Sequence, residues 1–230
     1  MTAGTLRRTL RITVVRGKTS VGAIYQRPRG ARACLVFAHG AGAGMRHPFM
    51  EKFSSRLVDA GTGTLRFQFP YMEAGRRRPD RPAVLMATIR AAVRRAHRLA
   101  PHLPVIAGGK SMGGRMTSMA QAEEPLEGVR GIVFVGFPLH APGRNGLARA
   151  AHLSGVDLPM LFVQGTRDRL ANLTLMRRVA RAPGRRAQLH EVAGADHGFH
   201  VLKRSGRSDD QVLAEVAGAV AGWIGGWVSR

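Results

Sequence analysis

The sequence has a single cysteine, which excludes a fold held together by disulfide bonds within the chain. Cys34 lies in the apolar run 33–38 and is predicted to be a core residue. Residues 1–18 lack the continuous apolar core of a signal peptide, and the apolar segment 214–228 carries Glu215 and is too short to span a bilayer. We therefore expect a cytoplasmic protein with no membrane segment and no disulfide.

Acidic residues and lysines are also scarce. Fourteen Asp and Glu oppose 36 Lys and Arg, which gives a formal net charge of +22, and only four of the basic residues are lysines. Clustered arginines would indicate binding to a phosphate backbone, but here they are spread through every segment without a recognised binding module. We interpret the charge as codon bias of a GC-rich genome, so nucleic acid is not the expected partner.

What the sequence does contain is an alternation of apolar strands and amphipathic helices. At 230 residues, 44% of them hydrophobic, the length fits a single domain over 1–230. Two strands come first, and strands then alternate with helices, which predicts a mostly parallel α/β sheet with helices on both faces and an antiparallel hairpin at the start. The predicted strands are 10–15, 21–25, 33–38, 64–69, 104–107, 131–136, 160–163 and 188–192; the predicted helices are 48–60, 82–99, 113–122, 171–181 and 208–228.

The segment 137–158 has no clear periodicity and contains several prolines and glycines. We interpret it as a surface excursion over one edge of the sheet. It is too short to form a large lid domain.

The sequence GKSMG at 109–113 matches the pattern G-x-S-x-G, and a predicted strand precedes it while a predicted helix follows. In this context Ser111 would sit on the tight strand-to-helix turn of a nucleophile elbow, where side chains at 109 and 113 would be crowded. The amide of Met112 would then point to the place where an oxyanion forms. The alternative is an ordinary glycine-rich turn between a strand and a helix.

A second glycine-rich segment follows the third predicted strand. The residues after this strand read HGAGA at 39–43, and the amide of Ala41 is the best candidate for a second oxyanion donor. His39 ends the strand, where packing or orienting the loop is favoured over a role as a catalytic base.

A nucleophilic serine also needs a base and an acid, which should follow it in the order acid, then histidine. Asp168 and His197 come after two later strands and are therefore expected at the edge of the sheet that carries Ser111. The alternatives left open are three: Asp157, which precedes its strand; Asp196, in an extended loop; and His200, which could be a buried histidine. A metal cluster of Asp196, His197 and His200 lacks a distant ligand and is disfavoured, so neither a metal nor a cofactor is expected.

The residues after the fourth strand, 69–80, should hang over the rim of this site. Tyr71, Arg76 and Arg77 are the candidate substrate-binding residues, with the arginines attracting a carboxylate or phosphate. The alternative is a solvated basic loop in which Glu73 and Asp80 pair with the arginines of the loop.

Six blocks of this sequence carry a resemblance to a known family. They are FAHGAGAGMRHPFM, FQFPYMEAGRRRPDRP, GGKSMGGRM, FPLHAPG, LFVQGTRD and GADHGFHV, in this order. The chain resembles the α/β hydrolases, in particular the small dienelactone-hydrolase-like branch. Within it the chain is similar to bacterial hydrolases related to the animal testis-expressed and NSL-complex hydrolase-like proteins, and the likeness spans about 22–227.

The resemblance implies a triad of Ser111, Asp168 and His197 acting on an ester or thioester of a small acyl substrate. Dienelactone hydrolases use cysteine at the nucleophile position, so the serine here argues against that particular activity. The competing hypothesis is a catalytically idle protein of the same fold that binds nucleic acid or acidic partners through its basic surface. Oligomeric state and substrate identity have no signature in the sequence.

Overall fold

The structure, a computed structural model, describes residues 4–15, 18–182 and 184–228. These residues form eight strands: β1 (Leu6–Val15), β2 (Thr19–Arg27), β3 (Ala33–Ala38), β4 (Thr62–Phe67), β5 (Val105–Lys110), β6 (Val129–Val135), β7 (Met160–Gly165) and β8 (Ala187–Val192). The α-helices are α1 (Pro48–Asp59), α2 (Pro70–Glu73), α3 (Pro82–Leu99), α4 (Met112–Glu123), α5 (Leu173–Arg181) and α6 (Asp209–Val228).

All eight strands belong to one sheet with the order β1-β2-β4-β3-β5-β6-β7-β8. The strands from β4 to β8 in this order are parallel, whereas β2 is antiparallel to both β1 and β4. The predicted eight-stranded, mostly parallel sheet with a hairpin at its start is therefore confirmed. That the whole of 1–230 is one domain stays a prediction.

The central strands are buried on both faces, which explains their continuous apolar sequences. In β3, Cys34 and Val36 belong to the cluster that packs against α3 and α4, while Leu35 and Phe37 belong to the cluster that packs against α1 and α6. Successive side chains of a strand point to opposite faces, so one strand supplies both layers of core. A third cluster joins β6 and β7 to α5.

The site depends on one consequence of this topology. Strands β3, β5, β7 and β8 are parallel neighbours or near neighbours, so the loops that follow them leave the sheet at one common edge. These loops carry Ala41, Ser111, Asp168 and His197, respectively.

The segment between β6 and β7 differs in part from its predicted character. Phe137, Leu139, Leu153 and Val156 are all buried, and a 3-10 helix, Ala148–Gly155, packs against α4. The interpretation as a surface excursion is right for most of 141–152, which is exposed or half-buried, but four apolar side chains at irregular spacing anchor the two ends of the segment in the core. All residues between β6 and β7 are described, and they form no separate lid domain.

Across the described ranges, no helix combines the length and apolar character needed to cross a bilayer.

Candidate active site

Ser111 occupies a strained turn between β5 and α4. Its φ of 51° and ψ of −117° lie in a region that non-glycine residues rarely adopt. A Cβ atom on Gly109 would lie 2.6 Å from the carbonyl oxygen of Ala38, and one on Gly113 would lie 2.4 Å from the same atom. Glycine is therefore required at both positions, and the sequence GKSMG folds as a tight strand-turn-helix unit.

The Ser111 hydroxyl meets an imidazole from a loop 86 residues away in sequence. Nε2 of His197 lies 2.8 Å from Oγ of Ser111, and Nδ1 of His197 lies 2.6 Å from Oδ2 of Asp168. An ionised carboxylate only accepts hydrogen bonds, so Nδ1 carries the proton and the neutral ring presents Nε2 as an acceptor for the serine hydroxyl. The geometry is that of a nucleophile, a base and an orienting acid.

The Asp168 carboxylate is fully buried, and both of its oxygens accept hydrogen bonds. Besides His197, it accepts hydrogen bonds from the amide of Leu170 at 2.7 Å and from Nε2 of Gln164 at 2.5 Å. Gln164 is itself buried and accepts a hydrogen bond from the amide of Phe137 at 2.9 Å. Sequence reasoning missed Gln164; an amide at the end of an otherwise apolar buried strand was the available signal.

Two backbone amides near Ser111 have no acceptor: Met112 follows Ser111 in the chain, and Ala41 lines the same cavity. Among the described residues, neither the amide of Ala41 nor that of Met112 has a hydrogen-bond partner. Met112 begins α4, so the positive end of the helix dipole adds to its amide. Both amides are free to stabilise a negative oxygen formed on a carbonyl attacked by Ser111.

His39 holds the loop that carries Ala41. Its ring is fully buried, its Nε2 accepts a hydrogen bond from the amide of Phe69 at 3.1 Å, and its Nδ1 donates to the carbonyl of Gly40 at 2.7 Å. Burial lowers the pKa of His39 to about 4, so the ring is neutral near pH 7. The loop-orienting position expected from the sequence is the one observed, and His39 makes no hydrogen bond to Ser111.

A cavity of about 640 Å³ opens beside Ser111 and His197. Its wall is largely apolar, with a few cationic and polar side chains, which suits a small organic substrate. Besides Ser111, His197 and the neighbouring backbone, the side chains that line it are His47, Pro48, Phe49, Met50, Lys52, Lys110, Leu170, Phe199, His200, Asp209, Asp210 and Leu213.

The three predicted substrate-binding residues do not line this cavity. Arg76 forms an ion pair with Asp80 at 2.6 Å, and Arg77 is exposed in the same loop. Tyr71 is buried, and its hydroxyl accepts a hydrogen bond from the amide of Gly42 at 3.1 Å, which supports the loop next to Ala41. The structure thus places these side chains in other contacts, and a role for them in binding substrate stays a prediction.

The alternative in which Glu73 and Asp80 pair with arginines of the same loop is confirmed for only one of the two acids. Asp80 pairs with Arg76, but Glu73 reaches β1, where it forms an ion pair with Arg11 and accepts a hydrogen bond from the amide of Gly22 at 3.0 Å. These contacts draw the first part of the loop toward β1 and β2.

None of the alternative acids and bases makes a hydrogen bond to the Ser111 hydroxyl or to the His197 ring, all of these residues being described. Asp157 is exposed and pairs with Arg186 at 2.5 Å, and Oδ1 of Asp196 accepts hydrogen bonds from the amides of Gly198 and His200. The side chain of His200 is 69% exposed and contacts Asp209 at 2.6 Å, so its interpretation as a buried histidine was wrong. Within 4–15, 18–182 and 184–228, no group of three or more potential ligands is arranged to hold a metal ion.

The structure combines a mostly parallel α/β sheet with a serine on a strained turn. A histidine contacts this serine, and a buried aspartate contacts the histidine. These features are typical of the α/β hydrolases. Residues 31–225 match the family model described as the α/β hydrolase domain. The chain belongs to the α/β-hydrolase family.

Several solved structures share this fold, and the similarity covers almost the whole chain. A dienelactone hydrolase from Anabaena variabilis ATCC 29413 is 22% identical, covers 97% of this chain and 98% of its own, and gives a TM-score of 0.72. Est1E from Butyrivibrio proteoclasticus with bound ferulic acid is 16% identical, with coverages of 96% and 100% and a TM-score of 0.76. An α/β serine hydrolase homologue from Coxiella burnetii is 17% identical, with coverages of 93% and 95% and a TM-score of 0.71. The architecture is thus of the small dienelactone-hydrolase-like type.

Proposed function

We propose that the protein is a serine hydrolase that cleaves an ester or thioester of a small acyl substrate. The observation that carries this proposal is the relay of two short contacts, 2.8 Å from Ser111 Oγ to His197 Nε2 and 2.6 Å from His197 Nδ1 to Asp168 Oδ2. Membership in the α/β-hydrolase family supports the same class of reaction. A serine carboxylesterase or a thioesterase needs the same apparatus, which uses no cofactor.

In the proposed mechanism, His197 takes the proton of Ser111 as Oγ attacks the acyl carbonyl carbon. The amides of Ala41 and Met112 donate hydrogen bonds to the resulting oxyanion. His197 then gives its proton to the departing alcohol or thiol, which leaves the acyl group on Ser111. The same histidine activates a water molecule that attacks this acyl-enzyme and releases the acid. Asp168 holds the ring in the required tautomer throughout.

The apolar wall of the cavity, formed in part by Phe49, Leu170 and Phe199, supports an acyl or aryl group as the part of the substrate that enters it. We extend this proposal to a cytoplasmic location and to a similarity with the testis-expressed and NSL-complex hydrolase-like proteins.

The test uses a fluorophosphonate probe and a p-nitrophenyl ester of a short acid. We expect the probe to label the wild-type protein at Ser111, and Ser111→Ala to lose labelling and at least about 10³-fold in kcat. Ser118→Ala is the matched control. The Oγ of this buried serine lies 2.8 Å from Nε2 of His152, and neither residue lines the cavity. Labelling that is unchanged in Ser111→Ala contradicts the assignment. Absence of labelling, together with salt-dependent retention on nucleic acid, would instead favour the idle binding protein.

A further inference from the structure

Lys110 is the residue between Gly109 and Ser111, and the Ser-His-Asp relay does not use it. The other three lysines are exposed, whereas the side chain of Lys110 is half-buried in the cavity wall. Its Nζ donates a hydrogen bond to the main-chain carbonyl oxygen of His197 at 2.5 Å. The ammonium thus contacts the backbone of the very residue whose imidazole meets Ser111.

Two aromatic rings lie beside this ammonium. Nζ lies 5.6 Å from the centroid of Phe49, at the start of α1, and 5.2 Å from the centroid of Phe199, two residues after His197. The rings are stacked with a centroid distance of 5.9 Å. These distances are in the range of favourable cation–π contacts, so the pair of rings suits a cation rather than a neutral side chain.

The backbone around Lys110 is adapted to this contact. A Cβ atom on Gly136 would lie 3.0 Å from Nζ and 3.5 Å from the carbonyl oxygen of His197, so a larger residue there would crowd the hydrogen bond. Phe199 has a φ of 67°, which is unusual for an aromatic residue and places its ring in the core, only 2% exposed. Backbone strain of this kind persists only where the surroundings enforce it.

The energetic balance does not favour Lys110 as a residue kept for stability. Burial lowers its pKa to about 8, and the more distant charges of Asp168 and Asp196 offset this only in part. No carboxylate among the described residues forms an ion pair with it. A partly desolvated cation that has no carboxylate partner and lies beside a reactive group is typical of a functional site.

We propose that Lys110 is a positioning residue for His197: its ammonium, held beside the stacked rings of Phe49 and Phe199, fixes the main chain of the loop so that the imidazole stays aligned with Ser111 and Asp168. This inference rests on the proposed function. Lys110 acts through His197 and touches no reacting atom in this role. It therefore affects kcat and leaves KM for neutral substrates unchanged.

The first test is Lys110→Met, which keeps an unbranched apolar chain beside the rings and removes the donor and the charge. We expect kcat to fall about 10- to 100-fold, because misplacing a catalytic group by about 1 Å has this effect, while KM changes less than about twofold. The loss should be equal for neutral and anionic esters, and the melting temperature should not fall. Lys203→Met removes an exposed lysine and should behave as wild type. A selective rise in KM for anionic esters would instead make Lys110 a substrate-binding residue and overturn the proposal.

The second test restores the ammonium chemically. Cys34, the only native cysteine, is fully buried, and burial raises the pKa of its thiol to about 12, so reagents will modify only the thiol introduced by Lys110→Cys. Alkylation with 2-bromoethylamine rebuilds a lysine-like chain and should recover at least tenfold in kcat. Iodoacetamide adds a neutral group and should recover little. Equal activity of the two adducts contradicts a role for the cation.

A third measurement does not depend on turnover. In ¹⁵N-histidine NMR, the Nδ1 proton of His197 bonded to Asp168 should give a strongly downfield signal in the wild type and a shifted or broadened one in Lys110→Met. An unchanged signal overturns the positioning role even if no ester is ever hydrolysed. Wild-type protein that lacks Ser111-dependent hydrolysis refutes the proposed function instead, so the two failures are distinguishable.

Discussion

Replacing Gly113 by alanine gives the most direct test of how the elbow holds Ser111. Alanine in a helix is favoured over glycine by at most about 1 kcal/mol, so helix propensity alone predicts a stabilised protein. The added Cβ, however, would lie 2.4 Å from the carbonyl oxygen of Ala38 and 2.6 Å from its carbon, about 1 Å closer than ordinary contact. Both are backbone atoms of β3, so α4 has to move away from the sheet.

Overpacking of this kind costs about 1–3 kcal/mol, and a clash with backbone belongs at the upper end. After the helix gain is subtracted, we expect Gly113→Ala to lose about 2 kcal/mol, which lowers the melting temperature by about 4–8 °C. A 1 Å shift of Ser111 relative to His197 should also reduce ester turnover about 100-fold.

The matched control for this experiment is Gly222→Ala in α6. No atom lies within 4 Å of the added Cβ, and Gly222 is exposed, so the helix should gain about 0.5–1 kcal/mol without a change in turnover. Calorimetry and p-nitrophenyl ester hydrolysis measure both quantities on both proteins. If Gly113→Ala melts and turns over as Gly222→Ala does, the reasoning about the elbow is refuted.

Two further predictions concern the loop that carries Ala41. Tyr71→Phe removes the acceptor for the amide of Gly42, and we expect kcat to fall about tenfold with little change in KM; an unchanged kcat would mean that the loop holds its shape without this contact. The pKa of His39 is lowered from 6.5 to about 4 in the folded protein. Between these two pH values the unfolded chain binds a proton that the folded protein does not. The free energy of unfolding therefore decreases as the pH falls from 6.5 to about 4, by about 3 kcal/mol in total. Urea unfolding between pH 7 and pH 4.5 should show a shallower decline for His39→Gln than for the wild type, and parallel declines would show that His39 does not carry the effect.

The order of elements and the relay were predictable because both depend on strong local signals. Continuous apolar runs bounded by glycine gave the strands, and parallel strands deliver the residues that follow them to one edge of the sheet. Asp168 and His197 could therefore be placed near Ser111 without knowledge of any loop conformation.

The rim of the site was not predictable, because long-range contacts decide where its loops go. Glu73 pairs with Arg11, which is 62 residues away, and Tyr71 turns under Gly42, so Arg76 and Arg77 do not reach the cavity. No local pattern encodes these partners.

Two other features escaped prediction for local reasons. Phe199 has a left-handed backbone and is buried, whereas His200 beside it is exposed, and the sequence had offered His200 as a buried histidine. Lys110 occupies a position of the G-x-S-x-G pattern that admits any residue, and only its contact with His197 distinguishes it.

Because the loops after β3, β5, β7 and β8 share one edge of the sheet, an attachment at the opposite end of the sheet is remote from the site. Residues 28–32, which lead into β3, turn at that end, and the Cα of Gly30 faces open space. A reporter domain inserted there, or a surface to which the protein is tethered through this turn, would leave the mouth of the cavity unobstructed. The turn at 28–32 is thus a suitable attachment point, on the side of the molecule opposite the candidate active site.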